Sequence, residues 1–318
     1  MSTDPVLQYR RVFELLIGKA STGDGAVANQ DFRIKFEITK TIKHTPNHAE
    51  FLIYNLADDT ESRIKGEFDE VQCNAGYQRE ARLVFAGNLV RPRRYREGND
   101  QITQLIAGDG DGDYYGTVIN TVLAAGTTDS DVLNHIVSQF KSTKLGNAAA
   151  VAANKGKRSR AKVMNGMARD YLHQIAAAAE CDWSIQNGVL HFIPFEGTLP
   201  GEAIVIRADT GMLKAPEVTD KGIKAWCLLN PAIKIGGVVQ LDNNDLKEEL
   251  RTITEQAAGA KKPGKKVTKK KHGPARMDPD GLYKVISLTH KGDTLGKEWH
   301  TESLCVSLSK PIPAKKAA

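Results

Sequence analysis

The chain is poor in the features that announce chemistry. Its 318 residues hold only four cysteines, Cys73, Cys181, Cys227 and Cys305. They are far apart in sequence, each in or beside an apolar strand-like segment, and no CxxC pair exists. That spacing predicts buried, reduced thiols rather than a structural disulfide. No segment approaches the ~18 to 20 continuous apolar residues of a membrane span. The opening MSTDPVLQYRRVFELLIGKA has an acid and a proline ahead of its first apolar residues, with no long apolar stretch, so it does not read as a secretory signal. The expectation is a protein made and folded in a cytosol, with no membrane insertion of its own. GxSxG, HExxH, Walker and GxGxxG motifs are all missing.

Partial resemblances to sites fail on inspection. GDGDGDYYG sets Asp109, Asp111 and Asp113 at alternate positions, as a calcium loop would, but Tyr114 stands where that loop needs glycine and Asn120 where it needs a bidentate Glu. A turn leaving the first β region is the better reading. His44 and His48 are four apart in HTPNH, yet Pro46 prevents the helix that would align them, and the segment reads as a polar turn. Glu14, Glu37 and Glu50 alternate with apolar residues, as solvated strand faces do. The expected catalytic residues, cofactors and metal ligands are therefore none.

Basic residues are present in two concentrations. Lys261, Lys262, Lys265, Lys266, Lys269, Lys270 and Lys271 crowd one stretch that also holds Pro263, Gly264, Gly273 and Pro274. The formal net charge is +6, and without these seven the chain has 37 basic residues against 38 acidic ones. A folded phosphate-binding surface would spread its excess over a face. The run therefore reads as a surface loop, either solvated or with an electrostatic task. RPRRYR puts Arg91, Arg93, Arg94 and Arg96 around Tyr95. Such a cluster can grip a nucleic-acid backbone, but at the end of a strand it more often lines an exposed face or pairs with acids of a neighbouring subunit.

The hydrophobic pattern divides the chain into three. In QDFRIKFEI the residues Phe32, Ile34, Phe36 and Ile38 alternate with Arg33, Lys35 and Glu37, and further short strands follow up to about residue 108. TTDSDVLNHIVSQF then carries Val132, Leu133, Ile136, Val137 and Phe140 at helical spacing behind a Thr/Asp cap. Met164, Met167, Ala168, Tyr171, Leu172, Ile175, Ala176 and Ala179 predict a second helix of four turns. CDWSIQNGVLHFIP reads as a hairpin turning on Asn187-Gly188, and period two returns from about Gly201. The predicted fold is mainly β with an α/β insert. Two tube-like antiparallel β barrels, residues 1–108 and 200–318, flank a helix-plus-hairpin domain at 109–199, with the Lys-rich loop at 257–277.

Taken in order, KFEITKTIKHTPNHAEFLIYNLADDTESRIK, AGY, FAGNL, AGDGDGDY, WSIQNGVLHFIP, GIKAWCLLNPAIKIGG, GLYKVISLTHKGD and EWHTE resemble the baseplate hub proteins of contractile-tailed bacteriophages, across roughly residues 10 to 308. The resemblance implies a structural virion protein resembling two tail-tube subunits fused in one chain. Three copies would form a ring joining the sixfold tail tube, or its initiator, to the threefold central spike and enclosing part of the DNA channel. Tape-measure and baseplate wedge proteins are further implied neighbours, with assembly in the host cytoplasm. Two readings compete with it: a nucleic-acid-binding protein that uses the basic stretch 261–276, and a tail-associated cell-wall hydrolase, for which 318 residues leave little room.

Overall fold

The computed structural model describes residues 10–19, 24–29, 31–78, 81–241 and 281–308. The lysine run and the rest of the 257–277 loop lie outside the described residues. The first β region supplies β1 (Arg11–Gly18), β2 (Gly25–Asn29), β3 (Ile34–Thr41), β4 (His48–Tyr54), helix α1 (Asp58–Gly66), β5 (Glu70–Tyr77), β6 (Arg82–Glu97) and β7 (Asp100–Gly108). The middle contributes α2 (Asp111–Gly116), β8 (Val118–Leu123), α3 (Asp129–Val137), β9 (Lys144–Leu145), α4 (Ala149–Ala153), β10 (Lys162–Met167), α5 (Ala168–Ala178), β11 (Cys181–Gln186) and β12 (Val189–Pro194). The last region holds β13 (Ile204–Ile206), β14 (Met212–Thr219), β15 (Gly222–Leu228), β16 (Val238–Leu241), β17 (Leu282–Asp293) and β18 (Trp299–Ser307).

The fold is mainly β with an α/β insert, as the period changes predict. Among the described residues, thirteen strands from the first and last regions join into one sheet, in the order β14-β15-β18-β17-β3-β4-β7-β6-β5-β1-β2, with β16 and β13 branching from β17. Among the described residues, hydrogen bonding does not close either β region into a ring on its own; the two are continuous through β17 and β3.

Alternation decides which side chains enter the cores. Phe13, Leu15 and Ile17 of β1 meet Ile34, Phe36 and Ile38 of β3 and Phe51 and Ile53 of β4 in the first core. Phe13 stacks on Phe36 at 5.1 Å between centroids, and Trp299 of β18 closes edge-on against Phe36 at 5.4 Å. Phe32, which alternation assigns to the same face, precedes the strand and is 36% exposed. A separate core holds Ile206, Ile223, Ala225, Val239, Tyr283 and Val285. Burial of each such aromatic or branched side chain is worth roughly 1.5–3 kcal/mol.

The insert has its own core, formed by Val132, Leu133 and Ile136 of α3, Leu172 and Ile175 of α5, and Trp183, Ile185, Leu190 and Phe192 of the β11–β12 hairpin. A capping box starts α3: Asp131 N–H donates to the Thr128 hydroxyl, while the Asp131 carboxylate accepts from Thr128 N–H at 2.7 Å. The second helix is shorter than its apolar spacing predicts. Residues 162–167 are strand β10, and α5 begins only at Ala168. Gly166 sits at φ +155°, which a helix cannot include. Met164 still reaches the insert core, but from the strand, whereas Met167 is only partly buried. Asn187 and Gly188 adopt φ +54° and +75°, the positive pair expected of the hairpin turn.

Candidate assembly interface

The two β regions repeat one strand order. β3-β4-β7-β6-β5 in the first corresponds to β14-β15-β18-β17-β16 in the last, with every neighbouring pair antiparallel. The match extends to irregularities. β6 shifts register against β7 between Leu89 and Arg91, and β17 shifts against β18 between Val285 and Ser287. In each case one residue, Val90 or Ile286, is bulged out, and the strand then runs on to its hairpin turn. The residue types follow in part: through their hairpin partners Lys35, Glu37, Ile38 and Thr39 of β3 correspond to Lys214, Glu217, Val218 and Thr219 of β14.

The regions meet edge to edge. From Ser287 opposite Thr41 to Asp293 opposite Lys35, β17 pairs antiparallel with β3. Charge reinforces the seam, with Lys291 Nζ 3.5 Å from Glu37 and Arg33 3.2 Å from Asp293. The equivalents of these two edges have no strand beside them among the described residues: β14 pairs only with β15, and β6 beyond Asn88 pairs only with β7. A strand edge without a neighbour offers its backbone N–H and C=O groups to a further strand.

All four arginines of RPRRYR lie on that open part of β6 and are exposed. Arg93 lies over the ring of Tyr95 at 5.7 Å. Arg94 is bound inside the chain: it reaches Asp58 at 2.6 Å and Glu61 at 3.0 Å, and Glu61, 1% exposed, is also held by Lys65. For this residue the acidic partners are in its own subunit, because the β4–β5 connection returns as α1 over the end of β6.

Two of the aspartates of GDGDGDYYG, Asp109 and Asp113, bind backbone N–H groups of the chain. Asp109 accepts the backbone N–H groups of Asn187 and Gly188, and Lys40 Nζ donates to Asn187 Oδ1 at 2.7 Å. Burial raises the Asp109 carboxyl above its usual range, against the opposing pull of Lys40 and these donors, and lowers Lys40 to about 8. Asp113 accepts from the backbone of Lys141, Ser142 and Thr143. Burial alone would raise its carboxyl, but these bonds win and hold it below the ordinary value. A third contact was invisible in the sequence: His44 donates or accepts at Asp182, 3.1 Å away, and at His173 Nδ1, 2.9 Å away, and stacks on Trp183. His48 takes no part in it. Among the described residues no group of three or more His, Cys, Asp or Glu side chains forms a metal site, and no helix is long and apolar enough to cross a membrane. All four cysteines are buried and unpaired, and burial pushes Cys181 up to about 11 and Cys227 and Cys305 to about 12, which makes them poor nucleophiles.

By sequence, no family model and no curated protein matches the chain. By structure, it is similar to the 43 kDa tail protein of prophage MuSo2 from Shewanella oneidensis, with a TM-score of 0.58 at 9% identity over 94% of this chain and 99% of that one. It is similar to a chain of the Francisella PdpA–VgrG complex in its lidded form, with a TM-score of 0.56 at 8% identity, over 99% of this chain and 55% of that one. A third likeness is to the E. coli c3393 protein, a component of the type VI secretion system described as structurally similar to the T4 bacteriophage tail proteins gp27 and gp5. There the TM-score is 0.50 at 7% identity, over 87% of this chain and 74% of that one. At such identities the likeness speaks for the fold alone, a fold that this chain shares with a phage tail protein and with type VI secretion proteins.

Proposed function

We propose that the chain is a structural virion protein, the trimeric hub of a contractile-tail baseplate, and that it has no catalytic role. In this reading residues 1–108 and 200–318 are two tube-like units and 109–199 is an insertion domain. Three copies bring six units to a sixfold tail tube or its initiator, present threefold symmetry to a central spike, and enclose part of the DNA channel. The observation that carries the reading is the repeat: two units of one strand order, with bulges at matching positions, already joined edge to edge by β17 and β3. A chain that fuses two ring subunits converts sixfold to threefold symmetry by copy number alone.

The seven lysines belong to the proposal as an electrostatic contact with acidic surfaces of neighbouring tail proteins. They lie in the connection between β16 and β17, where the first unit has only the short β5–β6 connection. DNA passing the channel is the competing target for them and for Arg91, Arg93 and Arg96, and tape-measure and wedge proteins are further candidate neighbours. Deleting Lys261–Lys271 is expected to leave the ring intact and to weaken its assembly with partner proteins; unchanged assembly with altered DNA ejection would assign the lysines to the channel. The trimer itself is tested by native mass of the untagged chain, alone and with the candidate spike. Three chain masses are expected, and a monomer under both conditions contradicts the reading.

A further inference from the structure

The three regions of the chain enclose a cavity of about 720 Å³ where they meet. Lys40 and His290 come from the paired strands β3 and β17, His191 from β12 of the insert, and Ile233 and Lys234 from the connection that precedes β16. A space of this size is in the range of pockets that hold a small organic molecule. We propose that it binds a small organic anion, with the carboxylate or phosphate head at Lys40 and the apolar body against the aliphatic side chains around it. One chain supplies the whole lining.

Lys40 is the reason for an anion. It is 5% exposed, and of the three N–H groups of its ammonium only one has an acceptor among the described residues, Asn187 Oδ1 at 2.7 Å. No carboxylate forms an ion pair with it among those residues. Asp109 is near enough to attract it, but the Asp109 oxygens are taken by the N–H groups of Asn187 and Gly188. Burial outweighs that attraction and lowers Lys40 to about 8, so its charge is incompletely compensated by the fold. Two N–H groups are left to bond a head group in the cavity that Lys40 lines.

The other polar groups around the cavity point to the same class of ligand. His191 Nδ1 accepts the Asn147 N–H at 3.2 Å, which in the neutral ring puts the proton on Nε2. Burial, with Lys234 adding to it, holds His191 below its ordinary value and favours that neutral ring. Its Nε2–H is therefore a donor. Lys234 and Arg82 are exposed at the rim, with Glu202 beside them. Three cations and one carboxylate line the cavity, a balance that attracts an anion and repels a metal ion. Val84, Ile233 and Val285 are buried and give the ligand an apolar wall. Because that wall is drawn from both β units, an occupant also ties them together, and binding to the folded chain alone raises its stability.

Octanoate, a carboxylate head on an apolar tail, is the probe, titrated by calorimetry into the full chain. One octanoate per chain is expected. Octanamide keeps the tail without the charge, and acetate keeps the head without the tail; each is expected to bind at least about tenfold more weakly. Lys40→Met removes the ammonium and is expected to weaken octanoate binding by about tenfold or more. It is also expected to abolish the rise in thermal midpoint that octanoate gives the wild type. Lys40 holds Asn187 as well, so Lys234→Glu, at an exposed position, is the second variant. It is expected to match the wild type by circular dichroism and to weaken octanoate by about threefold or more. Failure of octanoate to bind at millimolar concentration overturns the proposal, and so does equal affinity for octanoate and octanamide. Octanoate binding that Lys40→Met leaves unchanged overturns it too; should that variant not fold, binding that Lys234→Glu leaves unchanged does so.

Discussion

Asp109, the residue after the last strand of the first unit, caps the turn of the insert's hairpin at Gly188. The Gly188 N–H donates to its carboxylate at 2.8 Å, and the Asn187 N–H donates to the other oxygen. Asp109 and Lys40 are buried at this joint, while Asn187 and Gly188 are half-buried. Asp109→Ala strands them, and a buried unsatisfied donor costs about 1–3 kcal/mol. With both donors half-buried, the expected loss in a urea titration is about 1–3 kcal/mol, with Asp109→Asn losing less because its amide oxygen still accepts.

Leu172 tests the insert. It is 1% exposed, on α5, packed in the core that contains Trp183 and Ile185. Leu172→Ala is expected to destabilise by ~2–5 kcal/mol. A change near zero would show that the helix does not carry this core.

The arginines should separate by partner. Arg94→Ala leaves the carboxylate of Glu61, 1% exposed, with only Lys65 beside it, whereas Arg93→Ala removes an exposed side chain over Tyr95. Loss of one partner of a buried ion pair costs ~3–5 kcal/mol, and Arg94, itself about one-third exposed, should come in below that range. Thermal unfolding should rank Arg94→Ala as clearly destabilised and Arg93→Ala near wild type; equal effects would remove the distinction.

His290 predicts an acid limit. It is fully enclosed, bonded to the Thr301 hydroxyl at 2.9 Å, and burial, with Lys40 adding to it, lowers it from 6.5 to about 3. The unfolded chain takes up its proton near pH 6.5 while the fold does not, so stability falls as pH drops from 6.5 towards 3. The full effect is on the order of 5 kcal/mol. Urea midpoints should fall more steeply in this window for wild type than for His290→Gln, and parallel slopes would contradict the assignment.

Much of the fold was legible because alternation is local. Ile34, Phe36, Ile38 and the Asn187-Gly188 turn declare themselves within a few residues. The helix beginning at Ala168 was harder, since Met164 lies at helical spacing from the residues that follow it and only the backbone at Gly166 separates strand from helix. The seam between the two units was not legible. That Thr41 faces Ser287 depends on a pairing more than two hundred residues apart, and that Val90 and Ile286 are equivalent bulges shows only when two distant hairpins are compared. RPRRYR drew attention through its charge, but among the described residues its part of β6 stands out because it pairs with β7 alone. The joint among Lys40, Asp109 and Asn187 likewise exists only once three distant segments meet.

The central claim is three copies, each supplying two equivalent β units to one ring. Cryo-microscopy of assembled tail particles containing this chain tests it most directly. The account predicts three copies around the tail axis and six β units lining a channel. A single copy, or six copies, at that position would contradict it.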